Sequence, residues 1–350
     1  TSFTLENRIQ MPSSVVNPTR KLPAQGRLEL GPPATLLAFR RRLLSWYDGN
    51  RRDLPWRGEP NAYRVWISEV MLQQTRVAAV INYYQRFLQR FPDVRSLAAA
   101  RLEAVLAAWS GLGYYRRARA LHEAAKVMVN EHGGELPRTA AQLRQLPGLG
   151  PYTAAAVASI AFAEPVAVVD GNVERVLSRL LGWRAPKRGA AWERAQWLLA
   201  ADRPGDFNQA MMELGATVCL PAQALCARCP LFRWCRTRGL GPAKHKQRRR
   251  RQQLGYRLAR RGESVFLVRR GRSASLMPGM WELPEMPANG VRPEVMFRLR
   301  HSITVTDFVI EVSAGEPPAG ARGRWVKRAQ LEDLPLTGLT KKILRRANFI

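Results

Sequence analysis

The sequence predicts a mainly α chain that ends in a small α+β domain. Apolar residues recur at helical spacing through almost every segment up to about residue 218. Four cysteines, all between Cys219 and Cys235, then interrupt the pattern. Beyond them the period shifts to short β-branched and aromatic runs, closed by one more helical stretch. A length of 350 residues fits two domains.

The elements follow in order. Residues 1–33 are poor in acids and carry several prolines, which reads as a disordered arm rather than an organelle-targeting peptide. A helical domain over 34–218 begins with Thr35–Asp48, where Leu36, Phe39, Leu43 and Tyr47 share a face. LPWRG (Leu54–Gly58) reads as a turn. VWISEVMLQQT (Val65–Thr75) has the apolar spacing of a largely buried helix, and Val77–Phe91 continues helical until Pro92. Leu97–Trp109 reads as one helix, broken by the glycines of SGLGYY (Ser110–Tyr115), and Arg116–Asn130 as the next. LPGLGPYTA (Leu146–Ala154) is a helix end, a glycine hairpin and a helix start. Val173–Leu181, Trp192–Ala201 and Phe207–Thr217 complete the helices. After the cysteine loop, 219–235, a basic linker is expected over 236–254, with KHKQRRRR (Lys244–Arg251) at its centre. Over 255–350, ESVFLVRR, HSITVTDFVIEV and RGRWVKR each read as a strand and Leu339–Ala347 as a helix.

Charge narrows the function. A formal net charge of +29 calls for a polyanionic partner, nucleic acid first and a membrane surface second. No run of 18 apolar residues is present, so no transmembrane helix is expected, and the first residues lack the apolar core of a secretory signal. Clustered cysteines point to metal ligation in a reducing compartment rather than to disulfide staples.

Glu69 sits among Val65, Ile67, Val70, Met71 and Leu72. Burial would raise its pKa and make it a general acid near neutral pH; alternatively it faces solvent in a first helical turn, near Ser68 as cap. Asp170 begins a helix in VVDGNVERVL, where it serves as N-cap, as a carboxylate that stabilises a cation, or both. An acid paired with a second carboxylate is the arrangement that cleaves glycosidic bonds through an oxocarbenium-like transition state, and Asn172 could orient either group. Gly148 and Gly150 allow a tight turn with free amides, and Pro151 suits the first turn of the following helix, which together make a phosphate cradle. The spacing Cys219-x6-Cys226-x2-Cys229-x5-Cys235 suits one iron–sulfur cubane wrapped by a single loop, with structural zinc as the alternative. Gln74, Tyr114 and Tyr115 either pack or wedge into a base stack. The four histidines form no metal pattern, and phosphate-loop, GxSxG and dinucleotide fingerprints are absent.

Six blocks in order, VWISEVMLQQT, WSGLGYYRRAR, LPGLGPYTAAA, VVDGNVERVL, FNQAMMELGA and the 6-2-5 cysteine loop, resemble the adenine DNA glycosylase (MutY) family of the helix–hairpin–helix glycosylase superfamily. The resemblance is dense from Leu36 to Cys235. It implies a two-lobed glycosylase domain, one 4Fe-4S cluster on Cys219, Cys226, Cys229 and Cys235, and a Nudix-like domain that reads the lesion. The implied activity is removal of adenine opposite 8-oxoguanine or guanine in double-stranded DNA. Glu69 then resembles the general acid and Asp170 the carboxylate that stabilises the cation. Tyr152 and Asn172 resemble pocket residues. Gln74 and Tyr114 match the wedge, with Thr75, Leu112 and Gly113 beside them. The related endonuclease III carries a Schiff-base lysine where this chain has Pro151-Tyr152, which implies a monofunctional enzyme. Thymine–guanine mismatch glycosylases share the Tyr and Asp but lack the acid. The chain departs from the family's Phe-Ser-His loop: Ile303, Thr304 and Val305 stand there, so Thr304 supplies a hydroxyl but Val305 no imidazole, with Ser302 or Thr306 as further donors. MPGMWELPE (Met277–Glu285) resembles the family's Trp-containing segment, and the acidic helix of a Nudix hydrolase is missing. A monomer in the bacterial cytoplasm, associated with the nucleoid, is expected. The alternatives are a glycosylase for T or U opposite G and a catalytically silent DNA-binding scaffold.

Overall fold

The computed structural model describes residues 33–58, 61–183, 189–238, 250–271, 273–274, 276–286, 294–303 and 306–350. The arm before Pro33, most of the basic run, Thr304 and Val305 therefore lie outside the described residues.

Among the described residues, eleven helices precede the cysteine loop: α1 (Pro33–Asn50), α2 (Ala62–Leu72), α3 (Val77–Arg90), α4 (Val94–Ala99), α5 (Leu102–Trp109), α6 (Arg116–Glu131), α7 (Ala140–Leu143), α8 (Pro151–Phe162), α9 (Gly171–Leu181), α10 (Ala190–Leu198) and α11 (Pro204–Thr217). They build two cores. Helices α2 to α8 close around Trp66, Tyr84, Phe87, Trp109, Leu121 and Met128. Helix α1 leaves its sequence neighbours and packs with α9, α10 and α11 through Phe39, Leu43, Tyr47, Val173, Leu177 and Leu214. Arg40 fixes that pairing by donating to the carbonyls of Trp197 and Leu198 at the end of α10, where a cation also meets the negative pole of the helix.

The stretch Leu97–Trp109 is two helices, not one. Asp93 and Ser96 form a reciprocal capping box that starts α4, and Ala100 and Arg101 are extended. His122 on α6 bonds the Ala100 carbonyl at 2.9 Å, which removes that group from a continuous helical ladder. The same contact satisfies a buried histidine.

After the cysteines come β1 (Arg250–Leu258), β2 (Arg260–Arg261), β3 (Ser264–Arg269), β4 (Trp281–Glu282), β5 (Glu285–Met286), β6 (Phe297–Ile303), β7 (Thr306–Ala314), β8 (Gly323–Lys327) and α12 (Gly338–Arg346). One sheet runs β5-β1-β7-β6, with β1 parallel to β7 and the other pairs antiparallel. In the second sheet β2, β4 and β8 all pair antiparallel with β3. Tyr256, Leu267, Ile310, Val312, Ile343 and Phe349 fill the core between sheets and helix.

Two expectations change here. HSITVTDFVIEV, read as one strand, is a hairpin, with His301 opposite Phe308 and Ile303 opposite Thr306. The linker expected to reach 254 ends earlier, because β1 takes up Arg250 onward and pairs Arg250 with Thr306. The side chains from Arg250 to Gln253 stay exposed, so pairing with β7 satisfies their backbone without burying charge. No helix among the described residues is long and apolar enough to cross a membrane.

Candidate active site

Glu69 lies in the third turn of α2, not the first, and only 6% of it is exposed. Asn61 caps that helix instead, accepting from the Arg64 amide, and the Ser68 hydroxyl turns back to the Val65 carbonyl. This decides between the two readings of Glu69 in favour of the buried one. Its partner comes from α8: the Tyr152 hydroxyl donates to Glu69 Oε2 at 2.6 Å. Burial pushes the Glu69 carboxyl up to about 7; the Tyr152 hydrogen bond and Arg57 pull it down, and the charge of Asp170 pushes it further up. Tyr152 itself is raised well above its ordinary value, first by burial and then by Glu69 and Asp170. Glu69, Tyr152 and Asp170 thus share one electrostatic neighbourhood, although they come from three helices.

Asp170 is the N-cap of α9 and accepts from the amides of Asn172 and Val173 at 2.9 and 2.7 Å. Its second oxygen accepts from Asn172 Nδ2 at 2.9 Å. The capping reading of Asp170 therefore holds: two amides of α9 and Asn172 Nδ2 orient its carboxylate. Asn172 is held in turn by Arg175, which also donates to the carbonyls of Gly215 and Cys219.

Sequence reasoning missed a cluster beside this group. Glu213 on α11 is almost fully buried and takes Arg52 at 2.7 Å and Arg57 at 2.9 Å. Burial alone would raise the Glu213 carboxyl, but the two arginines outweigh it and bring it down to about 2. Its neighbour Met212 accepts from Tyr152 at 3.5 Å, which places the cluster next to Glu69. The only signal in the sequence was a glutamate among the apolar residues of FNQAMMELGA.

The predicted wedge residues fall on two strained turns. Gln74 follows the end of α2 with φ 55°, and Tyr114 precedes α6 with φ 49°. Non-glycine residues occupy this region only where the surroundings hold them there. Arg117 does so. It donates to the carbonyls of Val70, Met71 and Gln73, to Thr75 Oγ1 and to the Gly113 carbonyl, and lies over the rings of Trp109 and Tyr114. Burial lowers its guanidinium to about 10, and Tyr114 opposes that shift, so it stays charged at neutral pH. Gln74 and Tyr114 are exposed, whereas Leu112 is buried in the helical core and Tyr115 packs. Arg117, inside GYYRRAR, carried no recognisable signal.

In the hairpin, Gly148 has φ +75°, and a Cβ there would come within 2.5 Å of Ala120 on α6. Gly150 is the N-cap of α8 and Pro151 its first residue, with no side chain capping the helix. The first-turn amides remain available, and Gln73 ties the end of α2 to Thr153 at 2.9 Å.

The four cysteines are free thiols, and Cys219, Cys229 and Cys235 pack against the second core. Burial, and after it the neighbouring thiols, raises Cys226 and takes Cys229 up to about 11. Arg179 gathers the start of the loop, bonding Cys219 Sγ and the carbonyls of Cys219, Leu220 and Pro221. Among the described residues no three His, Cys, Asp or Glu side chains converge closely enough to ligate a metal. The donor set is nonetheless four thiols in electrostatic reach of one another beside the buried Arg179 guanidinium, the donor type an iron–sulfur cluster takes.

Comparison with known proteins bears on this geometry. Residues 67–199, which contain Glu69, Tyr152 and Asp170, match the model of the HhH-GPD superfamily base excision DNA repair proteins. A solved thermostable thymine-DNA glycosylase is 30% identical, with TM-score 0.54 and 95% of its chain covered by 57% of this one. The chain belongs to the HhH-GPD superfamily. Other members it resembles include endonuclease III in a non-covalent DNA complex, at 25% identity and TM-score 0.50, over 58% of this chain and 96% of that one. Adenine DNA glycosylases of Rattus norvegicus and Homo sapiens are 54% and 53% identical over 217 and 219 residues. These stretches span 58% and 59% of this chain but only 42% and 40% of the relatives. An adenine DNA glycosylase of Buchnera aphidicola is 38% identical over 58% of this chain and 59% of its own.

Arg117 links two turns of this HhH-GPD domain, so removing it strands several buried carbonyls. Arg117→Met should lower the unfolding free energy in urea by about 1–3 kcal/mol. An unchanged transition midpoint would show that the turns hold without it.

Proposed function

We propose that this chain is a monofunctional DNA glycosylase that removes adenine mispaired with 8-oxoguanine or guanine and leaves an abasic site. The observation that carries the reading is a carboxyl poised near pH 7 by burial, hydrogen-bonded to Tyr152 and within electrostatic reach of a second, helix-capping carboxylate. The chain's similarity to adenine DNA glycosylases supports the choice of base.

The residues divide the reaction as follows. The duplex seats a phosphate on the first-turn amides of α8, those of Tyr152 and Thr153, and Gln74, Thr75, Gly113 and Tyr114 enter the stack beside the mispair. Extrusion of the adenine costs a few kcal/mol, which the basic surface and wedge offset. Glu69 gives its proton to the five-membered ring of the adenine, the bond between sugar C1′ and the base nitrogen breaks, and the electron pair leaves with the base. Asp170, oriented by Asn172, stabilises the oxocarbenium ion until water adds to C1′. The ionised Glu69 is then free to take up the proton released by that water. Tyr152 occupies the position where a lyase would present an amine, and its hydroxyl is committed to Glu69, which supports hydrolysis without strand cleavage.

Cys219, Cys226, Cys229 and Cys235 would hold one 4Fe-4S cluster, whose contribution is to order the loop that carries Arg228, Arg233 and Arg236 toward phosphate. The domain from β1 onward, Nudix-like in this reading, would meet the lesion through the segment 302–306, with the hydroxyl of Thr304 as donor. We take the protein to act as a monomer on nucleoid DNA. Thymine opposite guanine is the second reading, favoured by the similarity to a thymine-DNA glycosylase; Glu69 argues for a purine, because thymine has no five-membered ring to protonate.

Single-turnover base release from duplexes with A opposite 8-oxoguanine, A opposite guanine and T opposite guanine tests the assignment. Adenine release is expected, and release of thymine alone would replace the reading by its rival. Glu69→Gln should slow adenine release by about 10²–10⁴-fold while duplex affinity stays within about one order of magnitude. A raised pKa keeps the Glu69 carboxyl protonated below about 7, so the rate should fall as pH rises through that value. Tyr152→Phe removes a bond that favours the ionised form, so the falling limb should move to higher pH. A limb that stays put would separate Tyr152 from Glu69 titration. Purified protein should be brown and hold about four irons per chain; a colourless, zinc-loaded protein would remove the cluster.

A further inference from the structure

The turn Ser110–Tyr115 is gripped from the C-terminal domain as well as from Arg117. Leu336 precedes α12 and is paired with Trp281 of β4, bonded through Pro335 and Thr337 on either side. Its carbonyl accepts from two residues of the turn, the Ser110 hydroxyl and the Tyr115 hydroxyl. Lys341, one turn into α12, reaches back and donates to the Ser110 carbonyl at 3.0 Å, which Tyr83 of α3 also bonds at 3.1 Å. The Gly111 amide, next in the turn, donates to the Tyr115 hydroxyl. Gly111 has φ +111°, and a Cβ on it would lie 2.1 Å from the Tyr83 hydroxyl, so Tyr83 approaches this otherwise exposed backbone closely on one side.

A second contact holds the two domains together. The MPGM turn, Met277–Met280, enters the helical lobe: Met280 is fully buried in that lobe's core and Met277 packs against it. Arg119 of α6 donates to the Pro278 carbonyl, and Glu103 of α5 pairs with Arg269 of β3 at 3.0 Å. With the C-terminal domain anchored on α5 and α6, Leu336 and Lys341 meet the turn that lies between those two helices.

The geometry points to Lys341, together with the Leu336 carbonyl, as a positioning element of the wedge: the C-terminal domain holds Leu112–Tyr114 in the conformation that meets the duplex. The domain then acts on the mispair through the glycosylase turn, in addition to any contact of its own with the opposite base. This rests on the reading of Tyr114 as a residue that enters the base stack. Lys341 touches neither substrate nor reacting atoms.

Hydrogen exchange on the full chain tests the anchoring without reference to activity. In Lys341→Met, amides of residues 110–115 should exchange at least about tenfold faster, while those of α2 and α8 keep their protection. Lys342→Met removes a neighbouring lysine that bonds the Arg300 carbonyl instead, and should leave residues 110–115 unchanged. Lys341→Arg retains a donor and should restore most of the protection. Single-turnover adenine release at saturating enzyme should fall about tenfold in Lys341→Met, a change of about 1.4 kcal/mol in barrier, with the pH of the falling limb unmoved. Unchanged exchange at 110–115 in a folded Lys341→Met protein would overturn the proposal. Faster exchange with unchanged release would also overturn it, because the turn would then not need its anchor. If the wild-type chain releases no base from any duplex, the functional reading fails by itself. Exchange at 110–115, and the loss of duplex affinity in Lys341→Met, would then still decide whether the anchor serves DNA engagement.

Discussion

The hydrogen bond from Tyr152 to Glu69, with the one from Gln73 to Thr153 beside it, joins α2 to α8, and most of the candidate site is positioned by reference to those two helices. Tyr152 is the second residue of α8, directly after the glycine hairpin. Glu69 is five residues before Gln74, at the far side of the strained turn that ends α2. The bond therefore fixes the acid relative to both the phosphate cradle and the wedge. A displacement of the hairpin on its phosphates would move the acid's partner with it, and the geometry of proton transfer tolerates little displacement.

The two buried glutamates near this point show how environment assigns a role to a carboxyl group. Glu69 has one neutral hydroxyl partner, and burial dominates, so it keeps its proton near neutrality. Glu213 has two guanidinium partners, and they overcome a comparable burial, so it stays ionised. The same residue type holds its proton near neutral pH in one place and is a fixed anion in the other. The fixed anion holds Arg52 and Arg57 in place, and Arg57 in turn restrains how far Glu69 is raised.

What could be read from the sequence was local. Apolar neighbours foretold the burial of Glu69, the glycines and proline of LPGLGP foretold the hairpin, and VVDGN foretold a capped helix at Asp170. What escaped was held by distant partners. The break at Ala100 depends on His122, 22 residues later. Arg117 works through main-chain carbonyls, which leave no trace in residue type. Arg52 and Glu213 meet across 161 positions. The β6–β7 hairpin was hidden because Ile303, Thr304, Val305 and Thr306 are all strand formers, with no glycine or asparagine to mark a reversal. The cysteine spacing was plain, but no residue type hinted that Arg179 would gather the loop through main-chain carbonyls.

Helix α1 belongs to the second lobe although it opens the described chain, and this bears on the order of folding. Apart from Met277 and Met280 of the C-terminal domain, the first lobe is a continuous insertion between α1 and α9, so most of its contacts can form while the chain is still being made. The second lobe must wait until α11 has been synthesised, because residues 33–50 find their partners only there. Arg52 and Arg57 meet Glu213 at the same late moment, after the Glu69–Tyr152 bond between α2 and α8 can already have formed. The chain would thus build the α2–α8 scaffold, with Glu69 and Tyr152 already on it, before α11 supplies Glu213 and Met212.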